Sequence, residues 1–226
     1  MSDALQRFRH IAIEGPIGAG KTTLARLLAA RLGADLMLEQ PAENPFLGRF
    51  YADMPGYAFQ TQLFFLFQRE RQVREMAQAS MFGHGVVSDY MFAKDRVFAK
   101  LTLSDEEYRL YAQMHAPIAA QLAEPDLVIW LQASAPTLLA RLQRRAIAME
   151  QQIEVGYLER LAEAYAGHFD AYDGAPVFTV DAEAFNPVER EADLSLLIEH
   201  LQAFEGRRGR FVGGSGLSRD QGLSLD

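Results

Sequence analysis

Eight consecutive residues, Gly15-Pro16-Ile17-Gly18-Ala19-Gly20-Lys21-Thr22, follow the spacing G-x-x-x-x-G-K-[ST], with Thr23 directly after them. Glycines at this spacing let backbone N–H groups converge on phosphate oxygens. A helix starting there adds partial positive charge, the lysine reaches the outer phosphates, and the threonine hydroxyl can ligate Mg²⁺. The chemistry implied is the binding of a nucleoside triphosphate, ATP in the simplest case, with magnesium. The chain has only three lysines, Lys21, Lys94 and Lys100, so a lysine at this position is not background. A second cationic group, Arg141, Arg144 and Arg145, interrupts an otherwise acidic chain. Such arginines can close over a triphosphate, exclude water and stabilise charge on a transferring phosphoryl group. Arg141 and Arg145 share the i, i+4 spacing of one helical face. Two carboxylates, Glu39 and Asp89, each follow a short apolar run, which places them at the carboxyl edge of a sheet, where ligands bind in open α/β folds.

These groups need a frame that brings chain ends to one edge, and the hydrophobic pattern supplies it. Short apolar runs predict five strands, at His10–Glu14, 35–38, Val86–Ser88, 127–131 and 177–180. Helical spacing fills the gaps at 22–32, 57–79, 104–122, 135–145, 155–170 and 187–204, and Gly33 closes the first of these helices. Strands alternating with helices predict an α/β fold with a parallel sheet covered on both faces. Residues 1–204 read as one domain. The Gly/Ser/Arg-rich stretch 205–226 reads as a flexible tail.

The 226 residues are 49% apolar and carry a formal charge of −8, which suits one globular domain and argues against a nucleic-acid partner. The chain has no cysteine, which removes disulfides and thiolate metal sites and agrees with a reducing compartment. Residues 1–9 are polar and no run approaches the ~18 apolar residues of a membrane span, so a cytoplasmic location with no membrane partner is expected.

Phosphate loops serve many reactions. A guanine-reading segment of the Asn/Thr-Lys-x-Asp type is absent from the sequence, and the apolar run 127–131 ends in Gln132-Ala133-Ser134 rather than in an acid. GTPase switches and motor ATPases are thereby disfavoured, leaving a small-molecule kinase. The segments Gly15 to Thr23, Glu39 to Leu47 with Phe50-Tyr51, Tyr57 to Gln60, Ser88-Asp89-Tyr90 and Arg141 to Glu150 resemble, in that order, the deoxynucleoside kinases, and are most similar to the bacterial deoxyguanosine and deoxyadenosine kinases.

That resemblance implies a P-loop kinase fold and transfer of the ATP γ-phosphoryl group to the 5′-hydroxyl of a deoxynucleoside in nucleotide salvage, by a homodimer packed through long helices such as 57–79. It gives Glu39 the 5′-hydroxyl, Asp89 the proton and a place near Mg²⁺ beside Thr22, Tyr51 and Glu150 the 3′-hydroxyl, and Gln60 the base edge. Phe59 and Phe92 would wall the base, and Arg69 with Asp95 would favour a purine. Either Asp89 or Glu39 takes the proton. Asp89 can also be read as the cap of a helix over 90–101.

Two departures stand out. The family usually carries Arg after the acid, where this chain has Tyr90, and a further lid Arg where this chain has Ile147. Either Arg144 compensates for Ile147 or activity is reduced. Thymidylate or another nucleoside monophosphate kinase, and a nucleotide-binding regulator without catalysis, are the alternatives.

Overall fold

The computed structural model describes Leu5, residues 7–79 and residues 85–213. Among the described residues, six parallel strands form one sheet: β1 (His10–Glu14), β2 (Asp35–Met37), β3 (Val86–Ser88), β4 (Leu127–Gln132), β5 (Val177–Asp181) and β6 (Arg208–Phe211). Their order is β2-β3-β1-β4-β5-β6. The central strands are buried along nearly their whole length: Ile11, Ala12 and Ile13 in β1 and Leu127 to Leu131 in β4 are all in the core. This is why they read as continuous apolar runs rather than as alternating ones.

The sixth strand corrects the expected count of five and moves the expected tail boundary. Arg208–Phe211 buries one large apolar side chain, Phe211, so it gives no apolar run to read. Backbone pairing with β5 holds it, with Val177 opposite Arg208 and Val180 opposite Phe211. Gly209 lets it approach, since a Cβ there would lie 2.7 Å from the Phe178 ring. The rest of the expected tail, 214–226, lies outside the described residues.

Eight helices cover the sheet among the described residues: α1 (Lys21–Leu32), α2 (Leu47–Ala52), α3 (Met54–Ala79), α4 (Lys94–Thr102), α5 (Asp105–Ala119), α6 (Ala135–Arg145), α7 (Val155–Ala171) and α8 (Glu191–Ala203). Gly33 closes α1 as expected, its N–H donating to the Ala29 carbonyl. A reciprocal capping box starts α5: Glu107 N donates to Ser104 Oγ at 3.3 Å and Ser104 N to Glu107 Oε2 at 2.9 Å. That helix stops three residues short of its expected end, just after Pro117. The six residues of α2 are too few to show a period, and they went unread.

One core packs around the sheet, and a smaller cluster of Leu47, Phe50, Ala58 and Phe65 joins α2 to α3. The second cluster matters for function because it stands beyond the carboxyl edge of the strands. From β1 the chain passes out to β2 and back to β3 on one side, then crosses to β4 on the other. Ligands in open α/β sheets sit at the edge outside such a reversal.

Candidate active site

A cavity of about 550 Å³ opens at that edge. The loop after β1 forms its floor. Gly15 there has φ 147°, and a Cβ on it would lie 2.5 Å from the Leu131 carbonyl, so β4 tolerates only glycine at this turn. The loop delivers the chain into α1, and Ile17 through Thr23 line the cavity, while Gly15 and Pro16 form the turn beneath. Lys21 Nζ donates to the Pro16 carbonyl at 3.0 Å, folded over its own loop. Burial, then the positive charge of Lys94, pushes its ammonium down to about 8.

Asp89, at the end of β3, is 4% exposed and holds the two halves together. Its Oδ2 accepts from Thr22 Oγ1 at 2.5 Å and its Oδ1 from the Glu39 backbone N–H at 2.7 Å. It does not cap a helix, because α4 begins five residues later at Lys94. The hydroxyl and carboxylate pair is an all-oxygen donor set at the phosphate loop, which fits a hard cation such as Mg²⁺ that keeps its waters and phosphate oxygens.

Glu39 follows β2, and α3 fixes its loop. Gln68 Nε2 donates to Gln40 O at 3.1 Å and to Glu43 Oε2 at 2.9 Å, and Gln72 Nε2 donates to Leu38 O. Both Glu39 carboxylate oxygens are engaged: Oε1 accepts from Arg69, and Oε2 from Lys94 Nζ at 2.9 Å. Burial would raise its carboxyl, but Lys94 and Arg69 prevail and hold it well below the usual carboxylate range. Arg69 also pairs with Asp95, which lies behind it and is 1% exposed. Asp95 Oδ2 and Arg69 Nε are buried there without a partner.

The structure gathers most of the expected groups but not all. Thr61, Gln62, Phe65 and Arg69 line the cavity from one face of α3, as their 1, 4, 8 spacing dictates. Gln60 is off that face, donating to Gly56 O at 3.0 Å, and Gln62 is the glutamine of α3 that lines the cavity. Phe92 stacks on His115 at 4.8 Å in a separate small pocket, and Phe59 packs between α3 and α5. Phe65 and Phe98 wall the main cavity instead, with Phe50 and Tyr51. Lys94 was missed as a site residue. Its position at the start of an amphipathic α4 was the available signal.

On the opposite wall, Ser134 precedes α6, whose Leu138 and Leu142 are buried while Arg141, Arg144 and Arg145 face the cavity. Arg141 donates to the Ala19 carbonyl at 3.3 Å and to the Ala182 carbonyl at 2.6 Å, tying the lid helix to the phosphate loop. Arg145 pairs with Glu150 at 2.5 Å. Ile147 also lines the cavity, with no charge to offer.

Comparison with known proteins decides what this cavity belongs to. A family model described as "Deoxynucleoside kinase" matches residues 11–204. The chain belongs to the deoxynucleoside kinase family. This deoxynucleoside kinase is 34% identical over 197 residues to the deoxyguanosine kinase of Bacillus subtilis (strain 168), covering 85% of this chain and 95% of that one. It is 35% identical over 164 residues to the deoxyadenosine kinase of Dictyostelium discoideum, covering 69% of this chain and 64% of that one. Among solved structures it resembles the deoxyadenosine kinase of M. mycoides with dCMP and a flexible dCDP bound, with a TM-score of 0.75, 27% identity, and 86% of this chain and 100% of that chain covered.

Proposed function

We propose that this ATP-dependent deoxynucleoside kinase phosphorylates the 5′-hydroxyl of a purine deoxynucleoside. The observation that carries this reading is the single cavity wall on which Asp89 meets Thr22 of the phosphate loop on one side and the Glu39 backbone on the other. Donor and acceptor therefore share one carboxylate. The triphosphate lies on the loop of residues 15–22, with Lys21 on its outer phosphates and the arginines of α6 above it. The nucleoside lies between α2, α3 and α4, with its 5′-hydroxyl on Glu39 and Asp89, its 3′-hydroxyl on Tyr51 and Glu150, and its base edge on Gln62.

Asp89 is the proton acceptor in this reading, and Glu39 orients the hydroxyl. A carboxylate that the cations Lys94 and Arg69 hold as ionised as Glu39 has little affinity for a further proton. The O5′–P bond forms as the bond from the γ-phosphorus to the bridging oxygen breaks, and the released electron pair leaves on ADP. Thr22 and Asp89 would hold Mg²⁺, which would supply charge neutralisation for the phosphates. The lid arginines and the apolar wall of Phe65 and Phe98 exclude water that would hydrolyse the triphosphate.

The unpartnered Asp95 Oδ2 behind Arg69 favours a base carrying an exocyclic amine, which thymine lacks. The deoxyguanosine and deoxyadenosine kinases among the relatives favour a purine. A homodimer is supported by Phe67 on α3 and Leu110 on α5, both about half exposed. A cytoplasmic location is supported by the absence of cysteine. No helix among the described residues is long and apolar enough to cross a membrane.

The test is phosphate transfer from ATP to deoxyguanosine, deoxyadenosine, deoxycytidine, thymidine and thymidylate under one set of conditions. Purine deoxynucleosides are expected to give the highest kcat/KM. Activity on thymidylate alone overturns the proposal, and ATP binding with no transfer to any acceptor would favour a regulator.

A further inference from the structure

Interior lysines are rare, because burying an ammonium costs more than surface pairing returns unless its charge answers another charge nearby. Lys94 is such a residue. Its side chain is 4% exposed, it lines the cavity, and its Nζ meets Glu39 Oε2 at 2.9 Å. The ammonium also lies 5.7 Å from the centre of the Phe98 ring, so the stem is held between the cavity wall and the carboxylate.

The position directly after the acid cannot present a charge to this cavity. Tyr90 is fully buried, and its hydroxyl donates to Gln72 Oε1 at 2.8 Å. Its carbonyl accepts from Ser88 Oγ at 2.7 Å. The chain then turns, with Met91 N donating to Glu14 Oε1 at 2.7 Å, and α4 starts at Lys94. A cation at the first position of this helix faces the cavity, whereas a side chain at position 90 faces away from it.

The acceptor wall needs that cation. Glu39 and Asp89 stand on it, with Asp95 buried behind, against the single guanidinium of Arg69, which is already shared between Glu39 and Asp95. Two facing carboxylates whose one guanidinium is so divided repel a γ-phosphoryl group. Of the other cavity cations, Arg141 is committed to backbone carbonyls, Arg145 to Glu150 and Lys21 to the phosphate loop, and Arg144 stands on the opposite wall with the lid helix.

We infer that Lys94 is a catalytic cation of the acceptor side, supplying from the start of α4 the positive charge that Tyr90 leaves out. This rests on the proposed phosphoryl transfer and names a residue for it. With the site empty, Lys94 holds Glu39 Oε2. During transfer its ammonium lies between the γ-phosphoryl oxygens and the Glu39 and Asp89 carboxylates. The proton still passes from the 5′-hydroxyl to Asp89, and Lys94 neither gains nor loses one. A lysine suits this role because its charge sits on a flexible stem and can follow the moving phosphoryl group.

The chain has no cysteine, so a cysteine introduced at position 94 is the only thiol. Lys94→Met, Lys94→Arg and Lys94→Cys are compared with the wild type for kcat, nucleoside KM and ATP affinity. The Lys94→Cys protein is then alkylated either with 2-bromoethylamine, which rebuilds a lysine-like ammonium, or with 1-bromopropane, which rebuilds its shape without charge. Lys94→Met is expected to lose about 10²-fold in kcat, the scale of one transition-state charge contact, while ATP affinity changes little. Lys94→Arg and the aminoethyl adduct are expected to recover at least about tenfold of that loss, and the propyl adduct none. Equal recovery by the propyl adduct, or Lys94→Met turning over within about threefold of wild type, overturns the inference. A wild-type protein that phosphorylates no deoxynucleoside instead overturns the underlying function, so the two failures are told apart.

Discussion

The floor of the donor side is one contiguous loop running into one helix, whereas the acceptor side draws Glu39 from the loop after β2, Gln62, Phe65 and Arg69 from α3, Asp89 from just past β3 and Lys94 from α4. The donor side binds largely through backbone N–H groups, which glycine spacing positions and which carry no charge of their own. The acceptor side is a network of ionised side chains in which each group depends on another: Arg69 on Glu39 and Asp95, Glu39 on Arg69 and Lys94, Asp89 on Thr22. A contiguous backbone site tolerates change around it. A dispersed ionic site transmits change to every member.

The largest effect that sharpens this contrast is expected at Asp89, the residue common to both sides. Asp89→Asn keeps the shape of the side chain and removes the proton acceptor, so kcat should fall by about 10²-fold or more. ATP affinity, measured by titration calorimetry, should stay within a few-fold. Turnover close to wild type would remove Asp89 from the reaction and leave the two sides without a common group.

A smaller effect separates the faces of α3. Gln62→Ala should raise the nucleoside KM by about tenfold, the worth of one or two hydrogen bonds of about 1 kcal/mol each, with ATP KM unchanged. Gln60→Ala should leave both within twofold, because Gln60 is bonded to its own helix. Steady-state kinetics with each substrate varied in turn decides this, and the reverse ranking would mean that the face of α3 is misread.

The smallest effect concerns the donor side. Burial and Lys94 hold the Lys21 ammonium at about 8, so in the free protein it loses its proton as pH rises through that value. A triphosphate binds the charged form, and above about pH 8 binding must take up a proton, so ATP affinity should fall by up to about tenfold per further pH unit. Calorimetry in buffers of different ionisation enthalpy would show that uptake. A flat affinity across this range would mean that the loop binds through its backbone alone.

The same contrast explains what could be read before the structure. The phosphate loop, the β1–α1 unit and the bounds of α6 follow from local rules: glycine spacing, apolar period, a serine before Ala135-Pro136. Glu39 and Asp89 could be placed at the sheet edge because each lies just past a strand. Gln60 falls outside the cavity lining, since a difference of two residues on a helix turns a side chain through about half a circle, and Phe92 lies in the turn before α4; no local signal says which side chains meet a cavity built from distant segments. Lys94 was passed over because the start of an amphipathic helix does not by itself mark a site. Its role depends on Glu39, 55 positions away in sequence. The sixth strand escaped because pairing with β5, rather than its own side chains, makes it a strand.

The most direct test of the account is the position of the new phosphate. After reaction of deoxyguanosine or deoxyadenosine with ATP, proton-coupled ³¹P NMR of the product should show a phosphomonoester coupled to the two protons of the 5′-methylene group. A phosphate coupled instead to the single 3′ proton, or a diphosphate formed only when a nucleoside monophosphate is supplied, would contradict the assignment of Glu39 and Asp89 to the 5′-hydroxyl.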